Sequence, residues 1–159
     1  MVEPAATGGT EIPVGGPWTI EQVHAHLDGA HYPVRLSFLD RDGHPRVLSL
    51  WFERRAAHLW CATQRTAEVA RALSRDDRVG FEVAGDLGPY RGARGWGRAR
   101  LHPGAGSAVL GALIDRYLTP DDPLIPRLRA QADQEVALEI VPERWFSWDF
   151  SGRMGPTVD

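Results

Sequence analysis

The chain has 159 residues, 43% of them hydrophobic, enough for one globular domain that buries roughly two-thirds of the surface of its unfolded chain. Its net charge of −3 excludes a global attraction to nucleic acid or anionic membrane, and no apolar run reaches the ~20 residues of a membrane span. All 18 basic side chains are arginine, so Schiff-base catalysis by lysine and a P-loop lysine are excluded, and anions must be met by guanidinium forks, hydroxyls or backbone amides.

The single cysteine, Cys61, rules out an internal disulfide and suits a reducing compartment. With no charged-then-apolar leader pattern, the expectation is a soluble, cytoplasmic protein without nucleic-acid or membrane partners. Residues 1–17, rich in Gly, Pro, Ala and Thr, read as a flexible arm. Residues 18–150 form the domain and 151–159 a polar tail.

Thr19-Ile20-Glu21-Gln22 has the form of a capping box, and Ile20, Val23 and Leu27 share a helical face that ends at Gly29. His24 and His26, two apart, cannot chelate one metal together and read as solvated or capping residues. The stretch Pro33 to Val83 organises the chain. Val34, Leu36 and Phe38 alternate with Arg35 and Ser37, and Asp42-Gly43 supplies the positive backbone angles of a close hairpin. The second strand, Arg46 to Phe52, is apolar on both faces except at Ser49, so one face is expected on a core and the other against a partner or a bound ring.

Leu59 to Thr63 makes a third strand. His58 and Cys61 face opposite sides of it, which argues against a shared metal, and Cys61 reads as a packed thiol. Thr66 is the expected cap of a short helix carrying Val69 and Leu73, and Arg78 to Val83 alternates as a fourth strand. A strand ending in a hydroxyl residue followed by a helix start is a place where amides and hydroxyls converge on an anion.

Arg91 to Leu101 resumes as a strand in which Arg94, Trp96, Arg98 and Arg100 share a face. Its Arg-Gly spacing is read as a phosphate contact or a solvated face, in preference to an RNA-binding segment. Ser107 is the expected cap of a helix with Val109, Leu110, Leu113, Ile114, Tyr117 and Leu118 on one stripe, and Leu124 to Ala132 reads as a further helix. Glu135 to Val141 is a strand, Pro142 a break, and Arg144 to Phe150 the last strand. The sum is about seven strands and three or four helices: a small antiparallel barrel, mainly β with α, with helices over its openings.

Arg46-Val47-Leu48-Ser49-Leu50-Trp51 after an Asp-Gly turn, then Leu59-Trp60-Cys61-Ala62-Thr63, then a short helix and Arg71 to Val79, resembles the pyridoxamine 5'-phosphate oxidase-like split barrels, from about Thr19 to Phe150. The resemblance implies a homodimer that binds FMN, or in some branches the deazaflavin coenzyme, in clefts across the subunit interface. It places Arg46, Val47, Leu48 and Ser49 against the flavin ring and Thr63 at the phosphate. Arg91 or Arg94, from the partner's strand, would reach the ring edge or ribityl chain, and Trp148 would cover the ring.

The sequence departs from that pattern where members often carry Ser-Arg-Lys: here stand Ala67, Glu68 and Val69, so Arg65 or Arg71 would have to supply the missing charge. The expected function is an FMN-dependent oxidoreductase transferring a hydride between flavin and a small organic substrate. The alternatives are a deazaflavin-dependent reductase of the same fold and a non-catalytic flavin- or haem-binding protein. Pyridoxamine phosphate oxidation itself is not expected, because the chain after Phe150 offers no second phosphate site. Tyr90, Arg94 and His58 are the polar groups nearest the inferred cleft.

Overall fold

The computed structural model describes residues 11–154. Its strands are β1 (Val14–Gly15), β2 (Val34–Leu39), β3 (Pro45–Leu50), β4 (Glu53–Arg55), β5 (His58–Gln64), β6 (Arg78–Ala84), β7 (Arg91–His102) and β8 (Glu135–Asp149). Five helices join them: α1 (Ile20–Gly29), α2 (Glu68–Leu73), α3 (Gly106–Tyr117), α4 (Ile125–Ala130) and α5 (Ser151–Met154). The sheet runs β3-β2-β6-β7-β8-β5-β4, antiparallel throughout, with β1 added parallel to β8. It curls so that β3 approaches β5, yet no ladder joins these two, and the barrel stays split along that seam.

Alternation sets the inside of the barrel. Val34, Leu36 and Phe38 of β2 point inward with Leu59 and Cys61 of β5, Val79 and Phe81 of β6, and Leu138 and Ile140 of β8. Trp145, fully buried, meets the Phe81 ring edge-on at 4.9 Å. Phe, Leu and Trp side chains of this kind contribute roughly 1.5–3 kcal/mol each on burial, so this cluster dominates the stability of the domain. α1 closes one end of the barrel with Val23 and Leu27. Its capping box forms as the sequence predicts: Gln22 N–H donates to Thr19 Oγ1 and Thr19 N–H to Gln22 Oε1. α3 lies on the outer face of β5 and β8, where Val109 and Leu113 cover Ala137.

Several expectations need correction. Residues 11–17 are not a free arm: Trp145 N–H donates to Pro13 carbonyl at 2.9 Å and Trp18 N–H to Ser147 Oγ at 3.0 Å, while Ile12 and Val14 pack on the core. Residues 1–10 of that arm and 155–159 of the tail lie outside the described residues; 151–154 form α5. In the β2–β3 turn only Gly43 takes a positive φ, 83°, and the Asp40 carboxylate closes the loop by accepting from Asp42 and His44 N–H.

Pro142 does not break the last strand. β8 is continuous for 15 residues, because Trp96 pairs with Arg144 and Gly97 with Pro142, so Glu143 is bulged out where the proline's lack of an N–H costs nothing. Gly97 permits this close approach: a Cβ there would lie 2.0 Å from the Val141 carbonyl oxygen. Neither Thr66 nor Ser107 caps a helix; the N-cap positions are Ala67 and Ala105, without side-chain bonds. β4 is an added strand, held to α1 by a two-pronged pair between Arg54 and Asp28 at 2.8 and 2.6 Å. Among the described residues no helix is long and apolar enough to cross a membrane.

Candidate functional site

Among the described residues, edge strand β3 has only one ladder neighbour, β2. Leu48 and Leu50 pack toward the core while Val47, 70% exposed, stands on the outer face, so one side of this apolar strand is uncovered in the single chain. At its C-terminal end a groove of about 340 Å³ opens between β3, β5 and α3, with Ser49, Trp51, Ala62, Thr63, Leu113 and Glu135 among its walls. Trp51 stacks on Tyr117 at 5.1 Å, which fixes one wall. Burial pushes the Glu135 carboxyl up. The seam thus offers unpaired strand backbone, two hydroxyls and a flat aromatic wall, suited to a planar molecule with polar edges.

Arg46 extends from β3 toward α2, where its guanidinium lies 3.4 Å from Glu68 Oε2 and 3.7 Å from Asp40 Oδ2. Arg46 is therefore already paired with two carboxylates. Val69 is buried in the core and cannot contact a ligand. Arg65 and Arg71 come together with Ser74 around a separate hollow of about 270 Å³. There Arg71 donates to the Thr66 carbonyl at 2.6 Å and Arg65 to the Asp133 carbonyl.

The remaining expected residues lie elsewhere. Arg94 sits over Phe146 and Trp148, 5.2 and 5.6 Å from their ring centroids, in a pocket of about 460 Å³ that Gly16 and Pro17 complete. On β8, Glu135 beside the groove and Phe146 beside this pocket are 11 positions apart (146 − 135). At ~3.3 Å per residue that is roughly 35 Å of strand. Arg91 parts from Arg94 because an odd spacing puts them on opposite faces of β7. It turns toward the end of the barrel that α1 covers, into a hollow with His26 and Tyr32.

One polar cluster was not foreseen. Glu139, 7% exposed, accepts from His58 Nδ1 at 2.6 Å and His102 Nε2 at 2.8 Å, on the outer face of β5, β8 and β7. Burial pushes its carboxyl up, but the hydrogen bonds from His102 and His58 outweigh that and hold it below its usual range. His58 is thereby committed to Glu139 and does not face the groove. The signal in the sequence was a lone carboxylate inside Val-Ala-Leu-Glu-Ile-Val. Cys61 is fully buried, and burial pushes its thiol far above the ordinary range. Asp40, Asp42 and His44 come together in the β2–β3 turn, where Asp40 is already engaged by backbone amides.

No protein-family model and no curated protein matches the sequence. Solved structures do match. A conserved hypothetical protein from Mycobacterium tuberculosis superimposes with a TM-score of 0.74 at 24% identity, over 90% of this chain and 92% of its own. An F420 reductase gives 0.64 at 21% identity, over 75% and 92%. A pyridoxamine 5'-phosphate oxidase-like protein from Listeria innocua gives 0.61 at 16%, over 79% and 94%. The seam between β3 and β5, the helix that follows β5 and these likenesses agree: the chain has the split-barrel fold of the pyridoxamine 5'-phosphate oxidase-like proteins.

Proposed function

We propose that this protein is a flavin-dependent oxidoreductase, acting as a homodimer in which the seam of one protomer and the Arg94–Trp148 pocket of the other enclose one FMN. The supporting observation is the uncovered outer face of β3, running into a groove that holds Ser49 and Thr63, with the other half of the expected site about a strand-length away. The bound flavin supplies the hydride chemistry, and the protein supplies position and charge.

Strand backbone of Arg46 to Ser49 would hold the ring, and the Ser49 and Thr63 hydroxyls would donate to its phosphate-bearing tail. From the partner, Arg94, already stacked on two aromatic rings, would bring positive charge to the bound flavin and help exclude water from it.

A second reading is favoured by Glu68. A carboxylate 3.4 Å from Arg46 penalises the dianionic phosphomonoester of FMN more than the singly charged phosphodiester of the deazaflavin coenzyme. Titrating the purified protein with each coenzyme, by absorbance and by quenching of ligand fluorescence, separates the two. Binding of one of them with a Kd below about 10 μM, weakened about tenfold or more by Thr63→Val and by Arg94→Gln, is the expected result. A protein that binds neither, or that sediments as a monomer with either bound, refutes the proposal.

A further inference from the structure

A hollow of about 450 Å³ lies at the α1 end of the barrel, between the second half of α1, Tyr32 and the loop from Gly85 to Pro89. We propose that it binds the oxyanionic head of a small molecule, a carboxylate or a phosphate, with Tyr32 and Arg91 as its donors. The hollow shares no lining residue with the groove at β3 or with the Arg94–Trp148 pocket, and the proposal does not depend on the flavin reading.

Around the hollow some hydrogen-bonding groups are already used and others are free to meet a ligand. His26 Nε2 lies 2.9 Å from the Val83 carbonyl oxygen, which only accepts, so this nitrogen carries the proton. Tyr32 Oη is 3.3 Å from the same nitrogen and takes a share of that proton as acceptor. Its own hydrogen stays available to a ligand. Burial, with the nearby Arg91 charge, holds the His26 imidazole below its usual range, so it serves as a neutral support for the phenol.

Arg91 has no ion-pair or hydrogen-bond partner among the described residues, because the nearby carboxylates are engaged elsewhere. Asp86, from the same loop, turns to Arg35 at 2.9 Å. Asp149, opposite Arg91 in the β7–β8 register, accepts hydrogen bonds from Ser151 N–H and Oγ at 2.9 and 2.5 Å, and those bonds, with a smaller effect of the Arg91 charge, hold its carboxyl below the usual range. The carbonyls at the end of α1 would repel an anion, yet Arg116 donates to those of Leu27, Asp28 and Ala30 at 3.0, 3.1 and 2.6 Å. No carboxylate lines the hollow among the described residues. What remains is one guanidinium fork, one phenol and room for more than a bare ion.

The test follows the His26 ring by NMR while sodium phosphate or sodium succinate is added, with sodium chloride holding ionic strength constant. A saturable shift with at least one of the two is expected. Binding should be about tenfold weaker in Arg91→Gln, which removes a charge-assisted bond, several-fold weaker in Tyr32→Phe, and unchanged in Arg100→Gln, an exposed arginine elsewhere on β7. Phosphate alone acting assigns a phosphate head, and succinate alone a carboxylate. No saturable shift with either anion, or equal affinity in Arg91→Gln and Arg100→Gln, overturns the proposal. His26 resonances of the anion-free variants report that each is folded.

Discussion

Replacing Glu139 by alanine isolates the polar cluster on the outer face of the barrel. Two hydrogen bonds disappear, from His58 at 2.6 Å and His102 at 2.8 Å, and both ended on a carboxylate whose side chain is 9% exposed. A bond to a charged acceptor contributes about 1.5–3 kcal/mol. The imidazoles are 34% and 39% exposed, so water takes over part of their hydrogen bonding and the lower figure applies to each. Two such bonds total about 3 kcal/mol, offset by about 1 kcal/mol because a buried carboxylate no longer has to be desolvated, leaving about 2 kcal/mol. For a domain of this size that lowers Tm by about 4–8 °C.

The pH dependence has a definite sign. The folded-state carboxyl lies below its ordinary 4.5, so its contribution is fully present above that value and is lost as pH falls through the lowered one. Melting curves by circular dichroism across the acid range should show a gap between wild type and Glu139→Ala at about pH 5 that narrows as the pH falls below about 4. Glu139→Gln, which keeps one acceptor, should fall between the two. A gap near zero at neutral pH, or one that persists unchanged at about pH 3, would refute the reasoning.

Three other outcomes are expected. Glu68→Ala should tighten FMN by a few-fold, at most about tenfold because the pair it forms with Arg46 is half exposed, and the gain should shrink with salt; unchanged binding in a fluorescence titration would remove Glu68 from ligand choice. Gly97→Ala should cost about 3 kcal/mol in urea unfolding, because its Cβ meets backbone on β8 that cannot move without opening the bulge. Cys61 should resist iodoacetamide in the folded protein at pH 8 and react only at the rate of unfolding, whereas rapid labelling of the native chain would show that the strand opens locally.

Local patterns were readable in the sequence where one physical signal dominated. The capping box at Thr19 and the alternation of Val34, Leu36 and Phe38 needed no distant partner, and both stand in the structure. Pro142 misled because a proline's missing donor is harmless at a bulge, and the bulge depends on Gly97, 45 positions earlier (142 − 97). β4 escaped notice since Glu53-Arg54-Arg55 is short and charged, and it is Asp28 of α1 that holds it.

At the candidate site the exposed apolar strand from Arg46 was legible, but the partners of its charges were not. The Arg46–Glu68 pair and the His58–Glu139–His102 cluster arise from tertiary register between segments far apart in the chain. The separation of Arg91 from Arg94 was present in their spacing of three and needed only the two-residue period of a strand.

The unladdered seam between β3 and β5 also makes the barrel its own reporter. Backbone amides of β3 that point away from β2 have no acceptor across the gap among the described residues, so they should exchange with deuterium much faster than their neighbours bonded to β2, even though both sit in one regular strand. Whatever molecule settles into the gap must quiet that alternating pattern, and the residues where it fades will outline the molecule's footprint before its identity is known.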